Sequence, residues 1–315
     1  MKDATKAARK TLIEDYSKRY KELSNSDLAK KILTDNNKKF LDVKPDSVRK
    51  QISNYRRSLP KESIIKNVNI IPQKIKVHAL SADWHMPYMD VKAKELYLKI
   101  LKDVKPDAFH IDGDGLDSPQ FSGHGKRGKQ KPVETLDESH NTANYILDEF
   151  DEALGDIGKK YQLGNHEDRL QKWLMENPDF KWAKLEVQNF LKLLERKYKV
   201  YGYNEAYQIG KLFVVHGWRS GIQAVRNHLI QDFHRSFIMG HIHRTDMATS
   251  TTIDGHLIQG HSVGCLCRLD WNYTQSRNSN HGIAIIYEYP NGNFEIFHVK
   301  FINNTASFER QIWTV

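Results

Sequence analysis

Five short stretches limit what this chain of 315 residues can fold into: Asp83-Trp84-His85, Gly113-Asp114-Gly115-Leu116-Asp117, Gly164-Asn165-His166-Glu167, His216-Gly217 and Gly240-His241-Ile242-His243. Each follows a short β-rich run. Lys74 to Ser81 alternates, with Ile75, Val77 and Ala79 on one side, and predicts a first strand ending at Asp83 and His85. Asp107 to Asp112 carries Ala108, Phe109 and Ile111 and delivers Asp114; Lys160 to Leu163 leads to Asn165, Leu212 to Val215 leads to His216, and Ser236 to Met239 leads to the Gly-His-Ile-His stretch. Helical patterns lie between them. Val91 to Val104 places Leu96, Tyr97, Ile100 and Leu101 on one face, and Val133 to Leu154 and Ile222 to Phe233 read as further helices. Strand, polar residue, helix, repeated, predicts a layered α/β domain with its site at the strand ends. Three later runs, His256 to Val263, Gly282 to Tyr289 and Phe294 to Phe301, read as antiparallel strands.

Fifteen histidines in one chain produce single D-x-H or H-x-H pairs by accident, but not five such stretches in order after five strands. In this order they resemble the signature of the calcineurin-like metallophosphoesterases: D-x-H, G-D-x-x-D, G-N-H followed by Glu or Asp, a single His, then G-H-x-H. The resemblance implies a β-sandwich flanked by helices, built around two divalent metal ions. Mixed imidazole and carboxylate ligands suit Mn²⁺ first, with Fe, Zn or Ni as alternatives, and not Ca²⁺. Two such ions about 3.5–4 Å apart turn a water between them into hydroxide and offset the charge of a phosphate ester.

Carried over by motif, Asp83, His85 and His243 are implied to hold one ion, Asn165, His216 and His241 the other, and Asp114 to bridge them. His241 and His243 reach different ions only if the backbone bends between them, which Gly240 permits. The resemblance places His166 beside the ions to stabilise the transition state or protonate the leaving oxygen, and Asp117 behind it as its orienting carboxylate. Asp112 is read as packing or capping, His110 as lying on the sheet face, His256, His261 and His281 as structural residues beyond the signature, and Glu167 and Asp168 as caps of the following helix.

The protein phosphatase branch of the family continues its second motif as D-R-G and places Arg before the third. Here Ser118 follows Asp117 and Leu163 precedes Gly164, which argues against that branch. Purple acid phosphatases carry Tyr in place of Asp117 and begin D-x-G, so they are excluded. What remains is the D-x-H group, rich in phosphodiesterases and nucleases. The Gly- and Lys-rich run after the second motif supplies Lys126, Arg127, Lys129 and Lys131 as candidates to track a phosphate backbone.

Charge points the same way. Residues 1–66 hold 18 Lys and Arg against 9 Asp and Glu, leaving 30 of each in the rest, so the net charge of +9 belongs to the first fifth of the chain. Leu12, Ile13, Tyr16, Tyr20 and Leu23 predict one amphipathic helix, and Leu28, Ala29, Ile32 and Leu33 a second, capped by Ser24 or Ser26. A third, after Pro45 and capped by Asp46 or Ser47, buries Val48, Ile52 and Tyr55 and leaves Arg49, Lys50, Asn54, Arg56 and Arg57 open. This all-helical module over residues 1–60 resembles a helix-turn-helix DNA-binding unit, although Asn36 to Pro45 is longer than the tight turn of the simplest form. Residues 61–73 read as a linker and 74–315 as the catalytic domain. Taken with the late segment Gly264 to Asp270, the arrangement resembles phosphoesterases carried by tailed bacteriophages and prophages.

The expectation is a metal-dependent phosphoric ester hydrolase acting on phosphodiesters, with DNA brought by the basic module. The alternatives are a phosphomonoesterase or cyclic-nucleotide phosphodiesterase, and, from another class, a DNA-binding regulatory or packaging protein with a vestigial metal site. Cys265 and Cys267 read as reduced thiols, and a charged N-terminus without a run of about eighteen apolar residues argues against export and membrane insertion. A cytoplasmic location follows, the host cytoplasm if the protein is phage-encoded.

Overall fold

Successive side chains of a strand point to opposite faces, and in β1 (Lys76–Ser81) both faces are covered, Val77 and Ala79 packing on one side and His78 and Leu80 on the other. The computed structural model describes residues 2–36, 40, 43–58, 74–121, 135–179, 185–269 and 278–315, which fall into two compact units, 1–72 and 73–315. In the larger unit β1 lies inside a six-stranded sheet ordered β11-β10-β1-β2-β3-β4, with β2 (Ala108–Asp112), β3 (Gly158–Gln162), β4 (Tyr198–Tyr201), β10 (Gly282–Glu288) and β11 (Phe294–Lys300). Strands β1 to β4 run parallel, while β10 and β11 join antiparallel. A second sheet is ordered β5-β6-β7-β9-β8, from β5 (Tyr207–Ile209), β6 (Leu212–Val214), β7 (Phe237–Met239), β8 (Asp246–Thr251) and β9 (Leu257–Ser262), with β6, β7 and β9 parallel. The hairpin of β12 (Thr305–Phe308) and β13 (Gln311–Thr314) completes the strands.

The two sheets pack face to face through Leu80, Ala284 and Ile286 of the first and Tyr207, Leu212, Val214 and Ile238 of the second. The outer face of the first sheet, with Phe109, Ile111 and Ile285, is covered by α4 (Val91–Val104), α5 (Leu136–Leu154) and α6 (Asn165–Glu176) through Leu96, Tyr97, Ile100, Leu147, Phe150, Leu170 and Leu174. Local capping sets where these helices start. Asp90 Oδ1 accepts the Ala93 N–H at 2.9 Å, and Thr135 and Glu138 cap α5 reciprocally, each such device contributing about 1 kcal/mol. Across the second sheet, Phe237 and Met239 meet Ala224, Val225 and Leu229. The layers are therefore helix, sheet, sheet, helix in a mixed α/β fold. No helix among the described residues is long and apolar enough to cross a membrane.

Some elements differ from expectation for identifiable reasons. The helix expected over Ile222 to Phe233 is a short α7 (Ala224–Asn227) followed by a wider π turn over His228–Phe233. Here His228 Nδ1 meets Asp232 at 2.7 Å and Nε2 accepts the Arg219 N–H at 3.1 Å. The polar edge strand β8 lacks the apolar alternation that marks a strand in sequence, and the two arms of the β12–β13 hairpin, four residues each, are too short to show one.

In the smaller unit, α1 (Lys2–Arg19), α2 (Asn25–Asp35) and α3 (Pro45–Ser58) enclose Ile13, Leu28, Ala29, Ile32, Phe40, Val48 and Ile52. Ser24 caps α2, accepting the Asp27 N–H at 3.1 Å. Helix α3 starts at Pro45 itself, so Asp46 and Ser47 lie within its first turn; proline suits this place because its missing N–H would have had no partner. Arg49, Lys50, Asn54 and Arg57 are exposed and Tyr55 half-buried. Arg56 corrects the expectation of an open-face contact. Its guanidinium turns inward and donates to Leu23 O (2.9 Å), Asn25 Oδ1 (2.8 Å) and Tyr20 O (3.1 Å), tying α3 to the α1–α2 connection. The linker 61–73 and the loop residues Lys126, Arg127, Lys129 and Lys131 lie outside the described residues.

Between the sheets, His261 of β9 and His298 of β11 stack, with Nδ1 of the first 2.9 Å from Nε2 of the second. Burial holds both neutral, pushing His261 down to about 3 and His298 to about 4 from the ordinary 6.5. Unfolded, each takes a proton near pH 6.5 that the folded protein refuses, so stability falls as pH drops from about 6.5 toward about 4. Thermal unfolding midpoints should decline across that window and decline less in His298→Gln; parallel declines in both proteins would show that the pair does not cause the loss.

Candidate metal centre

The five polar stretches all stand at the C-terminal ends of parallel strands: β1, β2 and β3 from one sheet, β6 and β7 from the other. At these ends the chain turns sharply. Asp83 (φ 54°), His85 (φ 47°), Asp114 (φ 48°), His241 (φ 69°) and His243 (φ 55°) all adopt the left-handed region. For a residue with a Cβ this costs about 1–2 kcal/mol, and backbone hydrogen bonds between the loops hold it in place. Asp83 N–H donates to Gly113 O (3.1 Å), His85 N–H to Asp114 O (2.8 Å), and the N–H groups of Leu266 and Cys267 both to Asp83 O (3.1 Å). Residues in such regions cluster where function over-determines geometry.

The bend between His241 and His243 lies in the two histidines themselves, which corrects the expectation for Gly240. Gly240 is needed for space: a Cβ there would stand 2.5 Å from the Ala82 Cβ and 2.9 Å from Asp83 Oδ2. Gly164 is tighter still, its Cβ falling 2.2 Å from Asp114 Oδ1 and 2.3 Å from Asp114 N. Both glycines let backbone approach a carboxylate that a side chain would displace.

Two overlapping groups result, each able to hold a metal ion: Asp83, His85, Asp114 and His243, and Asp114, His216 and His241. Asp114 belongs to both. In the first, His85 Nε2 and His243 Nε2 are 3.1 Å apart, and His243 Nε2 is 3.4 Å from Asp83 Oδ1. Ligands of a single ion at about 2.0–2.2 Å lie about 3 Å from one another, so this spacing suits a cation. In the second, His216 Nε2 is 3.2 Å from Asp114 Oδ2, and His241 Nδ1 meets Asn165 Oδ1 at 2.8 Å. The residues fit a cation in a further respect. Asp83 Oδ2 is buried without a hydrogen-bond partner, a costly arrangement unless an ion accepts its lone pair.

Neighbours fix the ring orientations. His216 Nδ1 donates to Asp112 O at 2.8 Å, which leaves Nε2 facing Asp114. His85 Nδ1 and His166 Nδ1 both meet Asp117 Oδ1, at 2.9 and 2.6 Å, so Asp117 orients two imidazoles where the sequence implied one. Burial disfavours the charge on Asp117, yet its bonds to His166 and His85 hold it well below the usual carboxylate range. Burial likewise pushes His216 down, but the charges of Asp114, Asp83 and Asp112 raise it to about 10. His241 goes to about 4 through burial and the neighbouring His216 charge. The carboxylates thus favour positive charge at His216 and His243, while burial and the neighbouring imidazoles disfavour it at His241 and His85.

Three residues have roles that sequence reasoning did not give them. Glu167 does cap α6, accepting the Gly164 N–H at 2.8 Å, but the same buried carboxylate also takes the N–H groups of Asp114 (3.1 Å) and Leu116 (2.9 Å) and the Tyr161 hydroxyl (2.7 Å). Its place at the third helical position, after a glycine cap, was the legible part. Cys267 stands with its thiol 3.9 Å from His243 Nδ1 and joins His85 and His243 in a third possible ligand group; the Cys265 thiol and then burial keep it well above the usual thiol range. Arg169, one turn beyond His166, places a guanidinium nitrogen 2.9 Å from His166 Nε2. Of the residues read as structural, His110 is buried between His78 and Tyr207, 3.0 Å from each, and His281 meets Cys267 O at 2.8 Å.

No family model matches the chain, and no curated protein does. A solved crystal structure aligns over 73% of this chain and 100% of its own length, at 11% identity and a TM-score of 0.33, a likeness too slight to bear on fold or function.

Glu167 gathers three backbone N–H groups from the second and third polar stretches, so it should hold the centre's shape without touching an ion. Glu167→Gln keeps the volume but turns an acceptor into a donor facing other donors. It should cost about 2–3 kcal/mol of stability, read as a lower midpoint in chemical denaturation, together with reduced metal uptake. Unchanged stability would remove Glu167 from this role.

Proposed function

We propose that the chain is a two-metal phosphoric ester hydrolase of the calcineurin-like metallophosphoesterase kind, acting on phosphodiesters, with DNA as its substrate. The observation that carries this reading is Asp114, one buried carboxylate common to two separate groups of imidazole and carboxylate ligands. Asp83, His85 and His243 would share it on one side, and His216, His241 and Asn165 on the other. Divalent ions held there, Mn²⁺ first, would supply Lewis acidity and a hydroxide nucleophile at neutral pH.

The chain's own residues supply the rest. Asp117 grips His166 through Nδ1, which turns Nε2 to within 3.7 Å of Asp114 Oδ2, beside the shared carboxylate. From there His166 would hand a proton to the leaving oxygen as general acid. The smaller unit contributes exposed Arg49, Lys50, Asn54 and Arg57 on α3, a basic surface suited to phosphate backbones.

Metal analysis of the purified protein should find two ions per chain. With Mn²⁺ added, bis-p-nitrophenyl phosphate and DNA should be cleaved, p-nitrophenyl phosphate poorly, and Asp114→Asn should abolish turnover. Preference for the monoester with intact DNA would replace the diester reading, and DNA binding without any turnover would end the enzymatic one.

Replacing Arg49, Lys50 and Arg57 by Gln tests the basic surface separately; Arg56 is left in place because it holds the helices together. DNA affinity should fall and its dependence on salt should become shallower by up to about one counterion per charge removed. An unaltered salt slope would mean that α3 does not meet the phosphates.

A further inference from the structure

Arg169 sits on α6 three residues after His166, the spacing that puts two side chains on one helix face. One guanidinium nitrogen is 2.9 Å from His166 Nε2 and the other 3.3 Å from Nδ1. Only the first can be a hydrogen bond, because Nδ1 is already directed at Asp117 Oδ1, 2.6 Å away. A guanidinium carries five N–H donors in a planar fork and keeps its charge at any physiological pH. Against it stands an imidazole with one lone pair to offer. Among the described residues no carboxylate pairs with Arg169, although Asp83, Asp114 and Asp117 are close by in sequence motifs that meet at the same centre. A half-buried cation thus meets one imidazole at the site and, among the described residues, no carboxylate.

The place of this cation limits what it is for. His166 Nε2 lies 3.7 Å from Asp114 Oδ2, so a group bound to Arg169 beside that ring would stand next to the carboxylate common to both ligand groups. A planar fork matches the two oxygens of a phosphoryl group better than it matches an imidazole edge. The bond to His166 also occupies the very nitrogen that has to face the leaving oxygen.

We infer that Arg169 is the phosphoryl clamp of this centre: when substrate enters, its guanidinium leaves His166 and takes two non-bridging phosphoryl oxygens, freeing His166 Nε2 for the leaving group. This rests on the phosphoester reading above. It also places the clamp on the helix after the third motif, where positions 118 and 163 carry Ser and Leu instead of the arginines of the protein phosphatase pattern.

The test uses the full-length Mn²⁺-loaded protein and inorganic phosphate, with binding followed by calorimetry, beside the kinetics of bis-p-nitrophenyl phosphate hydrolysis. Arg169→Gln should bind phosphate about 10- to 100-fold more weakly, the loss of one charge-assisted pair, and raise KM by more than it lowers kcat. Arg169→Lys should recover part of the affinity. Metal content and thermal midpoint should stay at wild-type values, because Arg169 touches no ligand side chain of either group.

Phosphate affinity unchanged in Arg169→Gln, or a fall in kcat alone, would overturn the clamp and leave Arg169 as a residue that merely positions His166. That failure is separable from failure of the hydrolase reading. Wild-type turnover with undiminished phosphate binding in the variant sinks only the clamp, whereas wild-type protein that cleaves no phosphoester sinks the hydrolase and leaves the clamp to be judged on phosphate binding.

Discussion

The Asp114 carboxylate, buried between histidines from both sheets, is the interaction on which the larger unit is organised. Removing a carboxylate from water costs several kcal/mol unless charge and hydrogen bonds compensate. Here the compensation is drawn from far apart in the chain: the His216 ring at 3.2 Å, the His166 backbone N–H at 2.8 Å, and the edges of the His85 and His166 rings. The His166 N–H belongs to the first turn of α6, where unpaired donors and the helix dipole favour a negative charge. Such an arrangement exists only if two sheets end at the same edge, so the carboxylate's environment and the sandwich are one constraint.

That convergence is strained, and the strain has visible supports. Five residues of the two ligand groups sit at positive φ, a conformation uncommon for any residue with a Cβ even though Asp and His adopt it more readily than most. Hydrogen bonds between neighbouring loops hold them, with Glu167 at the middle, its carboxylate joining the loop after β2 to the cap of α6. A buried acid that accepts from three backbone groups acts as a staple. Its partners in those loops are backbone N–H groups, the Tyr161 hydroxyl being the one side chain among them, so the loops can be held in register whatever their own side chains meet.

The smaller unit shows a different economy. Its core is seven apolar side chains, Phe40 the one aromatic among them, and a guanidinium adds what more apolar area would otherwise supply, Arg56 reaching three acceptors between helices. Its exposed cations are therefore not equivalent: Arg49, Lys50 and Arg57 are open to a ligand, while Arg56 is committed to the fold.

The order of the five polar stretches, and the strands before them, could be read directly because alternation and spacing are properties of neighbours in the chain. Val91–Val104 as a helix and Gly282–Glu288 as a strand follow from the same local rules. Polar strands such as Asp246–Thr251 were not legible, since they are held by the partner strand and not by their own pattern. Nor was the double duty of Asp117, the inward turn of Arg56 or the third backbone partner of Glu167. The sequence by itself determined which side chains were offered and at which strand ends; only the tertiary structure decided which of them meet, because distances between residues far apart in the chain are set by how the elements pack and by no local preference of the chain.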